Sequence, residues 1–297
     1  MGARQINHLN FEDHSILSSD GKSELFIRTY GSQKPKHHFL LVHGALEHSG
    51  RHEDLIKNFL KFHPQTAFTV YDHIGHGRSS GVRVYVEDFD HYVGDLNLVG
   101  AFVQSKNTET TKNTILAHSL GGLITLTRIL DPKYGWSYPL EAVIFSAPCI
   151  RPITVLGQYS ESVLEKLDQF GGGKLHLPLI YTGKDLTHDP IRANDFDTDT
   201  LIPRFITVRM AKQIVEASLN VRKLSYYMNI PCLFLIAGQD KIVDPESTRL
   251  FAHGIDKKLC EIKTYPDHYH EIWNEHDRNF IFDEMKKWLA QTLKENK

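Results

Sequence analysis

The feature that most constrains the fold of this 297-residue chain is a serine placed between an apolar strand and an apolar helix. Residues 113–117 are predicted to form the strand and residues 122–130 the helix, with Ser119 in the turn between them. Ala117 and Gly121 stand two places on either side of the serine. Such small neighbours are needed where a serine sits in a strained backbone conformation on a sharp strand-to-helix turn. A serine that simply caps a helix is the alternative explanation of this pattern.

Composition narrows the class of protein before any motif is considered. A chain of this length forms one large α/β domain or two small ones. The net charge of -2 gives no basic surplus for nucleic-acid binding. The first fifteen residues are polar, and no apolar run approaches the roughly 18 residues that span a membrane. We therefore expect a cytoplasmic protein, with peripheral contact at membranes left open.

The three cysteines, Cys149, Cys232 and Cys260, lack the spacing of metal ligands. Cys232 and Cys260 lie in apolar strand-like runs, which indicates buried free thiols and a reducing compartment. The eighteen histidines are scattered along the chain without helical metal spacing. We expect neither a metal ion nor any other cofactor.

Short apolar strands alternate with helices along most of the chain. This alternation predicts the α/β class, with a mainly parallel sheet covered by helices on both faces. Functional residues in such sheets gather at the carboxyl ends of the strands. Ser119, Asp240 and the loop after Tyr265 each follow such an end. The predicted strands are 24–30, 39–43, 67–71, 113–117, 142–146, 233–237 and 259–265, and the helices are 51–62, 89–103, 122–130, 245–253 and 281–293.

The alternation is interrupted between residues 150 and 228, which we interpret as a helical cap, or lid, inserted between two core strands. The core then consists of residues 1–149 and 229–297. Gly171-Gly172-Gly173 is interpreted as a hinge or mobile loop, because glycine has little conformational restraint.

An apolar stripe at helical spacing marks this cap segment: Leu156, Tyr159, Val163 and Leu167. We expect Leu156, Tyr159 and Val163 to line a substrate pocket. Packing against the core alone explains the same stripe equally well.

Three ordered blocks carry a family resemblance: His-Gly-Ala-Leu-Glu-His-Ser-Gly-Arg at 43–51, Tyr-Asp-His-Ile-Gly-His-Gly-Arg-Ser at 71–79, and residues 117–122. With the segments 237–240 and 269–271, the chain resembles the monoacylglycerol lipase and lysophospholipase family of α/β-hydrolases. The resemblance implies the α/β-hydrolase fold with an inserted helical cap. Ala117, two residues before the serine, stands where this family usually has glycine.

The order Ser119, Asp240, His270 is the serine, acid and histidine order of that fold. A serine hydroxyl needs a base within hydrogen-bond reach, and the base needs a carboxylate to orient it. His268 competes with His270 on the same loop. Asp244 competes with Asp240, but an N-cap before a first-turn proline accounts for it.

An oxyanion requires two preorganised donors, and we assign these to the backbone N–H groups of Ala45 and Leu120. Leu120 follows the serine at a helix start, where unpaired N–H groups favour an anion. The resemblance implies that Glu47 and Arg51 brace the loop around Ala45. A surface ion pair four residues apart is the alternative for these two residues.

The sequence therefore predicts a serine ester hydrolase that cleaves a monoacylglycerol-like lipid ester through an acyl-enzyme intermediate. A lysophospholipase or a small-ester carboxylesterase is the alternative within the enzyme class. A non-catalytic binding protein of the same fold is the alternative outside it. The expected partner is a small lipid ester, without nucleic acid.

Overall fold

The computed structural model describes residues 9–135, 138–153 and 160–293. Its strands are β1 (Phe11–Leu17), β2 (Glu24–Gly31), β3 (His37–Val42), β4 (Thr66–Tyr71), β5 (Lys112–His118), β6 (Ala142–Ser146), β7 (His176–Pro178), β8 (Phe205–Thr207), β9 (Cys232–Ala237) and β10 (Cys260–Tyr265). The described helices are α1 (Glu53–Phe59), α2 (Phe89–Lys106), α3 (Leu120–Leu130), α4 (Glu161–Gln169), α5 (Pro190–Thr198), α6 (Val208–Val221), α7 (Pro245–His253) and α8 (Arg278–Thr292).

Eight strands form one sheet in the order β1-β2-β4-β3-β5-β6-β9-β10. The pairs from β4 through β10 are parallel, and only the β1–β2 and β2–β4 pairs are antiparallel. Every residue of β3, β4, β6 and β9 is buried, as continuous apolar runs in a sheet covered on both faces require. The predicted α/β class with a mainly parallel sheet is confirmed. Strand β1 was not predicted, because its sequence is largely polar.

Helices cover both faces of this sheet. Lys263 on β10 bonds Glu284 of α8 at 2.6 Å, and its register partner on β9 is Leu235. Phe234, the preceding residue, contacts Phe251 of α7 with ring centroids 6.0 Å apart. Because neighbouring residues of a strand point to opposite faces, α7 and α8 lie on opposite sides of the sheet. Helix α1 packs with α8.

The segment between β6 and β9 is inserted between two hydrogen-bonded neighbours of the sheet. We call residues 150–228 the insertion. It holds α4, α5 and α6, together with an antiparallel pair formed by β7 and β8. Each of these strands has only three residues, too few to show a period in the sequence. Helix α6 packs against both α4 and the core helix α3.

The predicted apolar stripe falls only partly within the described residues, because Leu156 and Tyr159 lie outside them. Val163 is 42% exposed on α4, whereas Leu164 is fully buried and Leu167 is partly buried. The inward face of α4 includes Asp168, whose Oδ1 accepts a bond from Arg209 Nε on α6 at 2.5 Å. Val163 therefore points away from the face that packs, which corrects the expectation that it lines a substrate pocket.

The three consecutive glycines end helix α4. Gly171 has a φ of +83°, and its N–H donates to the Asp168 carbonyl at 3.0 Å, as is typical of a helix C-terminus. A Cβ on Gly172 would lie 2.5 Å from the Leu167 carbonyl oxygen. Close packing and helix termination thus account for residues that the sequence suggested as a hinge.

Among the described residues, no helix combines the length and apolarity that a membrane crossing needs.

Candidate active site

Ser119 occupies a strained turn at the carboxyl end of β5. Its φ of 48° and ψ of -115° lie in a region that a residue with a Cβ rarely adopts. The turn is held by hydrogen bonds, since Ser119 N–H donates to Ser146 O at 3.1 Å and Ser119 O accepts from Cys149 N–H at 2.9 Å. A Cβ on Gly121 would lie 2.1 Å from the Val42 carbonyl oxygen, so the chain can pass there only with glycine.

The Ser119 side chain does not cap helix α3, which excludes the simple N-cap explanation. Instead, Ser119 Oγ lies 2.9 Å from His270 Nε2, and His270 Nδ1 lies 2.7 Å from Asp240 Oδ2. The second Asp240 oxygen accepts the N–H groups of Ile242 and Val243 at 2.8 and 3.0 Å. With Nδ1–H donating to the carboxylate, Nε2 is free to accept the serine proton.

The side chains of Ser119, His270 and Asp240 are all buried. Burial acts to lower the pKa of His270, whereas the nearby Asp240 carboxylate attracts the charged ring and hydrogen-bonds it, which raises the pKa. Glu271 and Glu47 act in the same direction, and the pKa is raised above its ordinary value of 6.5. The site therefore stabilises the imidazolium that forms when His270 takes a proton from the serine.

The competing residues have other partners. His268 Nε2 lies 2.8 Å from Asp277 Oδ1. The expected N-cap at Asp244 is confirmed, because its side chain accepts the Glu246 N–H at 3.1 Å at the start of α7. The structure thus brings His270 and Asp240 to the serine, and leaves both competitors in structural contacts.

His118, the residue before the serine, also has a structural contact. Its Nδ1 lies 3.1 Å from the Ser146 carbonyl oxygen. Burial lowers its pKa to about 4, so the ring is neutral near pH 7. A neutral ring 4.8 Å from the His270 ring does not oppose the charge that forms there.

The backbone N–H groups of Ala45 and Leu120 flank the same space. Both residues line one cavity with Ser119. Among the described residues, neither N–H donates a hydrogen bond. Gly44 allows the close approach of this loop, since a Cβ there would lie 3.1 Å from Ser119 Cβ. Two unpaired donors beside a serine hydroxyl are what a developing oxyanion requires.

A buried chain of charges joins the Ala45 loop to the His270 loop. Glu47 accepts the Gly44 N–H, and Arg51 Nε lies 3.7 Å from Glu47 Oε2. Arg51 Nη2 bonds both carboxylate oxygens of Glu271, at 2.6 and 2.7 Å. These side chains are at most 5% exposed, so the surface-pair alternative for Glu47 and Arg51 is wrong.

Glu47 is kept ionised although it is buried. Burial acts to raise its pKa, but His52, whose Nε2 lies 2.9 Å from Glu47 Oε2, attracts the carboxylate. These contacts hold the pKa of Glu47 well below its usual range. Removing one partner of a buried ion pair typically costs ~3–5 kcal/mol, so this network fixes the loop firmly.

An apolar cavity opens beside Ser119. Few polar side chains line it. Its walls come from the turn at Ser119, the Ala45 loop, the insertion, Cys149 and the loop after β9. The lining residues are Ala45, Leu46, Ser119, Leu120, Cys149, Pro152, Leu177, Pro178, Leu179, Ile180, Tyr181, Ile206, Ile214 and Ile242. The described residues include no group of three or more His, Cys, Asp or Glu side chains that could hold a metal ion.

The sequence did not reveal most of the cavity walls. Residues 177–181 and Ile206 lie on or beside the short strands β7 and β8, and Ile214 lies on α6. The apolar run at 177–181 was the only available signal. Whether these side chains face the cavity depends on how β7 pairs with β8, and the spacing of apolar residues in the sequence does not predict that pairing.

The family described as "Serine aminopeptidase, S33" matches residues 33–277. The monoacylglycerol lipase of Mycolicibacterium smegmatis is 25% identical over 288 residues, which cover 95% of this chain and 98% of that protein. The phospholipase YtpA of Bacillus subtilis is 22% identical over 269 residues, covering 89% and 99%. These alignments span the core strands, the insertion and the loops that carry the site.

Solved structures share the fold. The crystal structure of Paleococcus ferrophilus monoacylglycerol lipase superposes with a TM-score of 0.79 at 21% identity, covering 90% of this chain and 99% of that chain. At this identity the likeness shows the architecture alone. The mainly parallel sheet covered by helices is therefore that of an α/β-hydrolase.

Proposed function

The chain belongs to the serine aminopeptidase S33 family of α/β-hydrolases, and from this premise we propose that it hydrolyses monoacylglycerol-like lipid esters. One observation carries the proposal. The Ser119, His270 and Asp240 hydrogen-bond chain lies at the edge of an apolar cavity that Ala45 and Leu120 also line. A nucleophile beside an apolar space suits a substrate with one reactive ester and a long hydrocarbon chain.

In the proposed mechanism, Ser119 Oγ attacks the ester carbonyl while His270 Nε2 takes its proton. The Ala45 and Leu120 N–H groups stabilise the negative oxygen of the tetrahedral intermediate. His270 then protonates the leaving alcohol, which gives an acyl-enzyme. Water, activated by His270, attacks this ester and releases the fatty acid. Asp240 holds the imidazole in the required tautomer throughout.

The cavity lining and the similar proteins both support this substrate class. The cavity walls offer mainly aliphatic side chains, so burial of each acyl CH₂ contributes about 0.8 kcal/mol to binding. Relatives that align over nearly their whole length include a monoacylglycerol lipase. A lysophospholipase is the second candidate, because the relative from Bacillus subtilis is a phospholipase. Neither reaction requires a cofactor.

We propose that the core and the insertion have different roles. Residues 1–149 and 229–297 form the catalytic core, and the insertion forms a cap that shapes the acyl pocket. Ile180 supports a role for the cap at a lipid surface, since it lines the cavity and is also 62% exposed. The protein would then work as a cytoplasmic enzyme that contacts membranes peripherally.

A substrate panel tests this function. The purified protein is assayed on 1-monoacylglycerols, lysophosphatidylcholines and p-nitrophenyl esters from C4 to C18, with fluorophosphonate labelling of Ser119 as the control for an active site. We expect labelling and the highest kcat/KM on a monoacylglycerol. Labelling with preference for lysophospholipids would favour the second candidate. Absence of both labelling and hydrolysis would refute the esterase proposal.

A further inference from the structure

Cys232 and Cys260 are direct neighbours across two strands, outside the site described above. They are register partners in the parallel pair of β9 and β10. Strands in a sheet lie about 4.8 Å apart, and partner residues point to the same face. This separation falls within the Cα–Cα range of disulfides, roughly 4.4–6.8 Å.

The face shared by the two thiols can be identified from their neighbours. Phe234, two residues after Cys232, contacts Phe251 of α7. On β10, Lys263 and Tyr265 bond Glu284 of α8 on the other face. By alternation, Cys232 and Cys260 both lie on the α7 side of the sheet.

The two cysteines differ in access. Cys232 is fully buried in β9, whereas Cys260 is only half-buried because β10 is the edge strand. This corrects the expectation that both thiols are buried. A dissolved oxidant can therefore reach Cys260, whereas Cys232 is closed to solvent.

The two thiols also influence each other's ionisation. The adjacent Cys232 thiol is the largest influence on Cys260 and lowers its pKa, against the effect of burial. The same contact, together with burial, raises the pKa of Cys232. Because Cys260 is also the more accessible thiol of the pair, it is placed to attack an oxidant, and the buried Cys232 is placed to resolve the product.

From this arrangement we propose that Cys232 and Cys260 form a peroxide-sensitive thiol pair that closes to a reversible disulfide across β9 and β10. The Cys260 thiolate attacks hydrogen peroxide, takes one oxygen as a sulfenic acid and releases hydroxide. The Cys232 sulfur then attacks the Cys260 sulfur, and the sulfenic oxygen leaves as water with the Cys232 proton. Two thiols and one peroxide give one disulfide and two waters once the hydroxide is protonated.

The location gives the bond a structural effect. Strand β9 leads to the loop of Asp240, and β10 leads to the loop of His270. The disulfide would tie these strands together at the ends opposite those loops. It would also fasten an edge strand that is hydrogen-bonded within the main sheet only to β9.

Peptide mapping tests the proposal on the intact protein. After treatment with hydrogen peroxide and blocking of free thiols, tryptic digestion should give a linked pair of the peptides 224–241 and 259–263. Free thiols in the denatured protein should fall from three to one, and dithiothreitol should restore them. An unchanged thiol count, or sulfinic and sulfonic acids without the linked peptides, would overturn the proposal.

Three variants assign the roles. Cys260→Ser, at the half-buried position, should lose no thiol at the same peroxide dose. Cys232→Ala should accumulate a Cys260 sulfenic acid that dimedone traps, which the wild type does not. Cys149→Ala is the matched control and should still lose two thiols. Oxidation of Cys149 in place of the pair would overturn the proposal, and the wild-type mapping remains decisive if Cys232→Ala does not fold.

Discussion

Ser119, Asp240 and His270 extend from the ends of core strands, whereas much of the apolar wall beside them comes from the insertion, residues 150–228. The core contributes short, directional hydrogen bonds between 2.7 and 2.9 Å. The insertion contributes aliphatic surface, whose attraction is non-directional and graded with area. We infer that the core sets whether an ester is cleaved, and that the insertion sets which ester is cleaved.

The largest expected effect is the loss of the core nucleophile. Ser119→Ala should lower kcat by on the order of a millionfold, since removal of a triad serine leaves only the oxyanion donors and binding. Circular dichroism and thermal melting should show an intact fold. A folded variant that keeps a tenth of the wild-type rate would remove Ser119 from the mechanism.

A second core prediction separates two neighbouring aspartates. Asp240→Asn should lower kcat by roughly 10⁴, because His270 would then adopt the wrong tautomer. Asp244→Ala is the matched control and should cost ~1 kcal/mol of stability through the lost N-cap of α7, with kcat retained. Kinetics and melting of both variants check this. A stable, inactive Asp244 variant would reverse the assignment.

In the insertion, the expected effects are smaller and selective. Leu177→Trp places an indole in the cavity, and we expect the ratio of C16 to C4 ester hydrolysis to fall by about tenfold, as excluded CH₂ groups lose ~0.8 kcal/mol each. Val163→Trp, on the exposed face of α4, is the matched control and should keep the ratio. Equal ratios in both variants and the wild type would show that the acyl chain lies elsewhere.

The smallest effect is a shift in pH dependence. Protonated His270 cannot accept the Ser119 proton, so kcat/KM should fall as pH decreases through the pKa of His270. Because that pKa is raised, the midpoint of this limb should lie above 6.5. Leu177→Ala adds no charge and should leave the midpoint unchanged. A wild-type midpoint below 6.5 would contradict the conclusion that Asp240, Glu271 and Glu47 together outweigh burial.

The contrast between core and insertion also explains which features could be predicted from the sequence. Ser119, Asp240 and His270 each follow a predicted strand, and the fold brings strand ends together, so local patterns were enough to nominate them. In the insertion, the inward face of α4 includes Leu164 in place of Val163. Its orientation depends on contacts with α6, which residue spacing does not encode. The walls from β7 and β8 likewise depend on pairing between distant three-residue segments.

The buried contact between Arg51 and Glu271 also bears on how the enzyme matures. It spans 220 residues and links the loop of Ala45 to the loop of His270. A growing polypeptide that has emerged from the ribosome only as far as β9 has the proposed nucleophile Ser119. It still lacks both the proposed base, His270, and Glu271, the partner of Arg51. Ester cleavage by the proposed mechanism should therefore begin only after β10 and the loop that follows it have docked.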